Sequence, residues 1–112
     1  MRARICRSYS FQSSHLLPGV PAGHKCGRLH GHTYQAEIEI EGEISTSGWV
    51  MDFADLDDLA RPIVAELDHR HLNEIIPNPT AELIAAWILE RVPSAVRVRV
   101  SENAKGWVEV WR

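Results

Sequence analysis

Apolar and polar residues alternate strictly in four stretches of this chain and follow helical spacing in two others. Ala3, Ile5, Tyr9 and Phe11 share one parity, Arg7 is the exception, and His15 continues the series. A strand turns successive side chains to opposite faces, so His15 falls on the apolar side. The stretch from Leu16 to Leu29 holds Pro18, Gly19, Pro21, Gly23 and Gly27 and reads as a loop. From His30 to Ile44, Tyr34, Ala36, Ile38 and Ile40 alternate with Gln35, Glu37, Glu39 and Glu41, the pattern of a strand with one buried face. Carried backward, that parity puts His30 and His32 on the buried face too.

Ser45 to Gly48 ends this strand. Asp52 is placed as a helix N-cap with Asp55 three residues on, the order of a capping box. Phe53, Leu56, Leu59, Ile63, Val64 and Leu67 then recur at helical spacing. Pro62 lies ten residues into that pattern, where it lacks a backbone donor and clashes with the preceding turn, so a kink or a restarted helix is expected. Pro77 to Thr80 opens a second helix with Leu83, Ile84, Trp87, Ile88 and Arg91 on one side, and Pro93-Ser94 closes it. Val96, Val98 and Val100 alternate with Arg97, Arg99 and Ser101, and their parity continues to Glu102. Asn103 to Gly106 reads as a hairpin turn, and Trp107 to Arg112 as the last strand. The order ββααββ defines an α+β domain spanning 1–112: a four-stranded antiparallel sheet with two helices on one face.

Composition narrows the partners. A formal net charge of -3 over 112 residues carries no basic footprint for nucleic acid or an acidic membrane. The longest apolar run, Leu83 to Leu89, is too short to cross a bilayer, and Met1-Arg-Ala-Arg-Ile has no apolar signal core. The expectation is a cytoplasmic protein whose two cysteines, Cys6 and Cys26, stay reduced. A domain of this size buries about two-thirds of its unfolded surface, so association would help it.

The chemistry is concentrated between His24 and Tyr34. His30 and His32 lie about 7 Å apart along one strand face, close enough for both rings to reach one ion. His15 supplies a third imidazole of the same facing. Three histidines with an open fourth position make a catalytic zinc site; buried histidines bonded to backbone carbonyls are the plainer alternative. Cys26, flanked by His24 and Lys25, could close the site as a fourth ligand, act as a reactive thiol beside it, or be inert. Asp68 beside His69 could orient a proton-shuttling imidazole or be a solvated helix end. Glu102 places a carboxylate on an apolar strand face, where it needs a donor-rich ligand or a structural cation as partner.

Taken together, His15, the Cys26-Gly-Arg-Leu-His30-Gly-His32 run, Asp52-Phe53, Leu67-Asp68-His69, Leu72-Asn73, Pro79-Thr80-x-Glu82 and Glu102 resemble the 6-pyruvoyltetrahydropterin synthase/QueD family across the whole chain. The three residues between Cys26 and the His-Gly-His resemble its carboxy-forming branch. That resemblance implies the tunnelling fold, in which subunits join sheets edge to edge into a barrel, commonly as a homohexamer built from two trimers. It implies zinc on His15, His30 and His32, one ion per subunit. It implies Cys26 as proton-abstracting base, Asp68 and His69 as proton relay, and Glu102 as anchor of the pterin. The implied substrate is 7,8-dihydroneopterin triphosphate and the product a 6-carboxytetrahydropterin of the queuosine route, with acetaldehyde and triphosphate released. Pyruvoyl formation by triphosphate elimination, or pterin and metal binding without catalysis, are the alternatives on the same scaffold. The triphosphate would need cations, with Lys25, Arg28 and Arg70 as candidates.

Overall fold

The computed structural model describes residues 1–112. Two long strands, β1 (Arg2–His15) and β2 (His30–Glu43), pair antiparallel along their whole length, from Arg2 opposite Glu43 to His15 opposite His30. Helix α1 (Phe53–Ala65), a two-residue strand β3 (Arg70–His71) and helix α2 (Ala81–Arg91) follow, then the hairpin of β4 (Ala95–Asn103) and β5 (Gly106–Trp111). The sheet order is β3-β1-β2-β4-β5.

Alternation produces this architecture directly. Tyr9, Phe11, Tyr34, Ala36, Ile38, Val98 and Val100 turn to one face and are buried there against Leu56, Ala60 and Val64 of α1 and Ile84, Ala85 and Ile88 of α2. Each helix starts at a side-chain cap, Asp52 as expected for α1 and Thr80 for α2. The Asp52 carboxylate accepts from the Ala54 amide at 2.9 Å, and the Thr80 hydroxyl from the Leu83 amide at 3.1 Å. The opposite face of the sheet is polar and knitted by ion pairs. Arg97 meets Glu37 at 2.8 Å, Glu109 at 3.1 Å and Glu39 at 3.3 Å.

Three expectations need correction. The sheet has five strands, because Arg70 and His71 pair with Ser13 and Ser14; this pairing is parallel, so the sheet is not wholly antiparallel. A two-residue strand is too short to show alternation. Pro62 does not restart the helix: α1 runs on as a single helix to Ala65, three residues further. On α2 the buried side is Ile84, Ala85, Ile88 and Leu89, while Leu83 is 44% exposed. No helix is long and apolar enough to cross a membrane.

Candidate functional site

The site forms where the β1–β2 ribbon ends. His15 and His30 are the last cross-strand pair of that ribbon, and His32 stands two residues inward on the same face. Gly31 between them keeps the approach open: a Cβ there would stand 3.3 Å from the Ser13 carbonyl oxygen of β1, tighter than ordinary contact. The three rings lie with centroids 4.5, 4.9 and 5.2 Å apart and planes steeply inclined to one another. One nitrogen from each ring lies within 4.8 Å of the other two. A tetrahedral ion with bonds of about 2.0–2.1 Å needs nitrogens about 3.3 Å apart, so small ring movements close the set on a metal.

The donor set fits a metal chemically as well. His15 Nδ1 donates to the Pro79 carbonyl oxygen at 2.7 Å, and His30 Nδ1 donates to that of Arg28 at 2.7 Å. A carbonyl only accepts, so each hydrogen bond fixes the proton on Nδ1 and leaves the Nε2 lone pair toward the cluster. Nε2 of His15 and of His32 is buried with no hydrogen-bond partner. Burial holds both imidazoles below their ordinary value, against the Glu102 charge that favours the protonated form; Pro79 opposes it too at His15. Neutral imidazole is the ligating form.

Local structure holds His15 firmly. Just past it, the Asn73 side chain clamps the Leu16 backbone, accepting from its amide at 3.0 Å and donating to its carbonyl at 2.9 Å. Ser13 donates its hydroxyl to the Leu67 carbonyl. Neither clamp was legible as such in the sequence, because both bridge more than fifty residues.

A cleft of about 440 Å³ opens beside the imidazoles, lined also by Lys25, Cys26, Glu102 and Asn103. Cys26 sits on the 3₁₀ turn Lys25–Gly27, and the His24 ring, through Nδ1, accepts from the Cys26 amide at 3.0 Å. Its sulfur is not one of the three converging ligand atoms, so the cleft side of the cluster is not closed by sulfur. Glu102 brings Oε2 to 3.4 Å from His15 Nε2 and 3.6 Å from His32 Nε2. The strand parity that placed Glu102 on this face therefore holds through to the end of β4.

Asp68 and His69 are not on this cleft. Asp68 lines a separate groove with Ser8, Tyr9, Ser10 and Arg61. It accepts from the Gln12 amide at 2.9 Å and pairs with His69 Nδ1 at 3.0 Å. The Gln12 amide, and then His69, hold the Asp68 carboxyl below its ordinary value. His69 has φ 56°, a left-handed backbone uncommon outside glycine, and its side chain is 75% exposed. Tyr34, legible in the sequence only as an inward strand residue, also borders the cluster: its ring stacks on Phe11 at 4.8 Å and meets the His32 ring at 5.4 Å. Its hydroxyl is buried without a partner.

The fold and this cluster define a small α+β protein with a three-histidine centre at the end of a strand ribbon. The 6-pyruvoyl tetrahydropterin synthase family model matches residues 4–112, and the chain belongs to that family. Among its relatives is a protein of Archaeoglobus fulgidus provisionally named 6-carboxy-5,6,7,8-tetrahydropterin synthase. It is 42% identical over 109 residues, covering 94% of this chain and 92% of the relative. A Pyrococcus furiosus protein named dihydroneopterin monophosphate aldolase is 46% identical over 92 residues, covering 82% of this chain and 76% of that one. In fold, the chain is similar to 6-pyruvoyl tetrahydropterin synthase of Caenorhabditis elegans, with a TM-score of 0.90 at 21% identity, covering 100% of this chain and 96% of the other.

Proposed function

We propose that this chain is a zinc-dependent lyase that converts 7,8-dihydroneopterin triphosphate and one water to 6-carboxy-5,6,7,8-tetrahydropterin, acetaldehyde and triphosphate, in cytoplasmic queuosine biosynthesis. The observation that carries the reading is the gathering of three imidazole nitrogens, a thiol and a carboxylate at one cleft. His15, His30 and His32 hold the zinc, which when bound polarises the hydroxyl groups of the substrate side chain. Cys26, on its turn at the cleft wall, takes a proton from the side chain. Glu102 accepts hydrogen bonds from the amino-pyrimidine edge of the pterin, the donor-rich partner that its placement calls for.

Asp68 holds His69 as the proton relay, and both enter the cleft from a neighbouring subunit. Several features support assembly. The outer edge of β1 is covered by β3 only at Ser13 and Ser14, and β5 is an open edge carrying Trp107 and Trp111, 58% and 71% exposed. Open edges invite pairing with further strands. The radius of gyration, 15.3 Å, exceeds the roughly 13 Å of a compact domain of about 100 residues. A homohexamer of two stacked trimers removes these edges.

Turnover tests the reading. Incubation with dihydroneopterin triphosphate is expected to give acetaldehyde, triphosphate and the 6-carboxy product, and Cys26→Ala is expected to abolish turnover while retaining zinc. Triphosphate release with the three-carbon side chain intact would instead indicate the pyruvoyl-forming reaction. A second reading, retro-aldol cleavage of dihydroneopterin monophosphate, is favoured by the 46% identity to the Pyrococcus furiosus aldolase. Release of a two-carbon aldehyde phosphate from the monophosphate would select it.

A further inference from the structure

Tyr34 is a costly residue for its place. The ring is fully buried, stacked on Phe11, and its hydroxyl has no hydrogen-bond partner. A phenylalanine would fill the same space without leaving a buried donor unpaired, a penalty of the kind proteins avoid. What could use the hydroxyl lies next to it. The last β2–β4 pair is Gln35 with Ser101, and one step further the register sets Tyr34 beside Glu102 on the inward face. The Glu102 charge acts on the Tyr34 phenol, second only to burial in holding it protonated.

Glu102 itself turns to the imidazoles, with Oε2 at 3.4 and 3.6 Å from Nε2 of His15 and His32. Those nitrogens are the lone pairs that a metal would take. Once they are engaged, the carboxylate either becomes a fourth ligand, filling the vertex meant for substrate, or turns to another donor. The Tyr34 phenol is a buried donor without a partner, and the register sets it opposite Glu102. We infer that Tyr34 is a positioning residue that receives Glu102 when the histidines bind metal, holding the carboxylate off the ion and in place for a pterin. This rests on the proposed role of Glu102 and extends it to a residue with no contact to the substrate.

The test labels the two tyrosines at 13Cζ, Tyr9 and Tyr34, and titrates the full-length protein with zinc alone. The Tyr34 resonance is assigned by its loss in Tyr34→Phe. It is expected to shift as zinc binds and to stop shifting in Glu102→Ala, whereas a resonance unmoved by bound zinc, or one that moves equally in Glu102→Ala, overturns the inference. Tyr34→Phe is also expected to keep or raise the melting temperature of the metal-free protein and to weaken dihydroneopterin affinity about tenfold, the loss of one hydrogen bond to a charged group. The loss should fall on KM more than on kcat. Affinity within twofold of the parent likewise overturns it. A parent that shifts Tyr34 with zinc but binds no pterin would refute the proposed function and leave this positioning role intact.

Discussion

Replacing Arg97 by methionine isolates the polar face of the sheet from the site. The guanidinium is 17% exposed and meets three carboxylates, Glu37, Glu39 and Glu109, within 3.3 Å. Removing it leaves those charges facing one another. Breaking a buried ion pair costs about 3–5 kcal/mol, whereas an exposed pair is worth about 0–1 kcal/mol. The carboxylates here are 16–38% exposed, which places Arg97→Met at about 2 kcal/mol of destabilisation at pH 7. At about 4 °C per kcal/mol for a chain of this length, the melting temperature falls by about 8 °C.

The pH dependence has a definite sign. Hydrogen bonds from the Cys6 thiol and then from Arg97 hold Glu37 below its ordinary 4.5. A carboxylate lowered in the folded state stabilises above its unfolded value and loses that contribution as pH falls through the folded one. The gap between parent and variant should therefore be full at pH 7 and narrow as pH falls below the ordinary 4.5 of Glu37. Urea unfolding at fixed protein concentration, from pH 7 down to pH 3.5, measures it. A gap under 0.5 kcal/mol at pH 7, or one that widens on acidification, refutes the reasoning.

Other outcomes follow from separate parts of the structure. Arg112 gathers the carbonyls of Leu89, Val92, Pro93 and Ala95 around the end of α2; Arg112→Ala should cost about 1–3 kcal/mol in urea unfolding, and a change within error would show the clasp to be idle. Thr80→Ala removes the α2 N-cap beside the Pro79 carbonyl that orients His15, so it should lower stability by about 1 kcal/mol and loosen zinc binding, while an unaltered zinc affinity would uncouple cap from site. The Cys6 thiol, half-buried and bonded to Glu37, is pushed up to about 12, so at pH 8 iodoacetamide should modify Cys26 well ahead of Cys6, as peptide mass spectrometry can read; comparable labelling of both contradicts the buried contact. Gly31→Ala sets a methyl 3.3 Å from the Ser13 carbonyl oxygen and should weaken zinc binding, with no effect meaning that the ribbon yields freely.

Much of this could be seen in the chain because a strand has an unambiguous period. Parity alone put His15, His30, His32 and Glu102 on one face, and register then brought the four together. The Asp52 cap was readable because it acts on an amide two residues away, whereas Thr80, three residues from its amide, was read only as part of the stretch that opens α2. What escaped is long-range or too short to repeat. Strand β3 spans two residues. The register shift near Glu39 and Ile40 lets β4 present Ala95 inward beside Val98, which simple alternation from Val96 cannot anticipate. The carbonyls that fix the imidazole protons, and the Asn73 clamp on Leu16, are backbone matters invisible in side-chain patterns. Asp68 lines another groove, held by the Gln12 amide and paired with His69, and neither of the two lines the cleft.

The central claim is that three imidazoles hold a divalent ion while one vertex stays free of protein sulfur. X-ray absorption at the zinc edge of the loaded full-length protein tests it most directly. The expected spectrum has three nitrogen neighbours of imidazole type at about 2.0–2.1 Å, a light oxygen completing the shell, and loss of the signal on His32→Ala. A sulfur neighbour at about 2.3 Å, or zinc retained undiminished without His32, would contradict it.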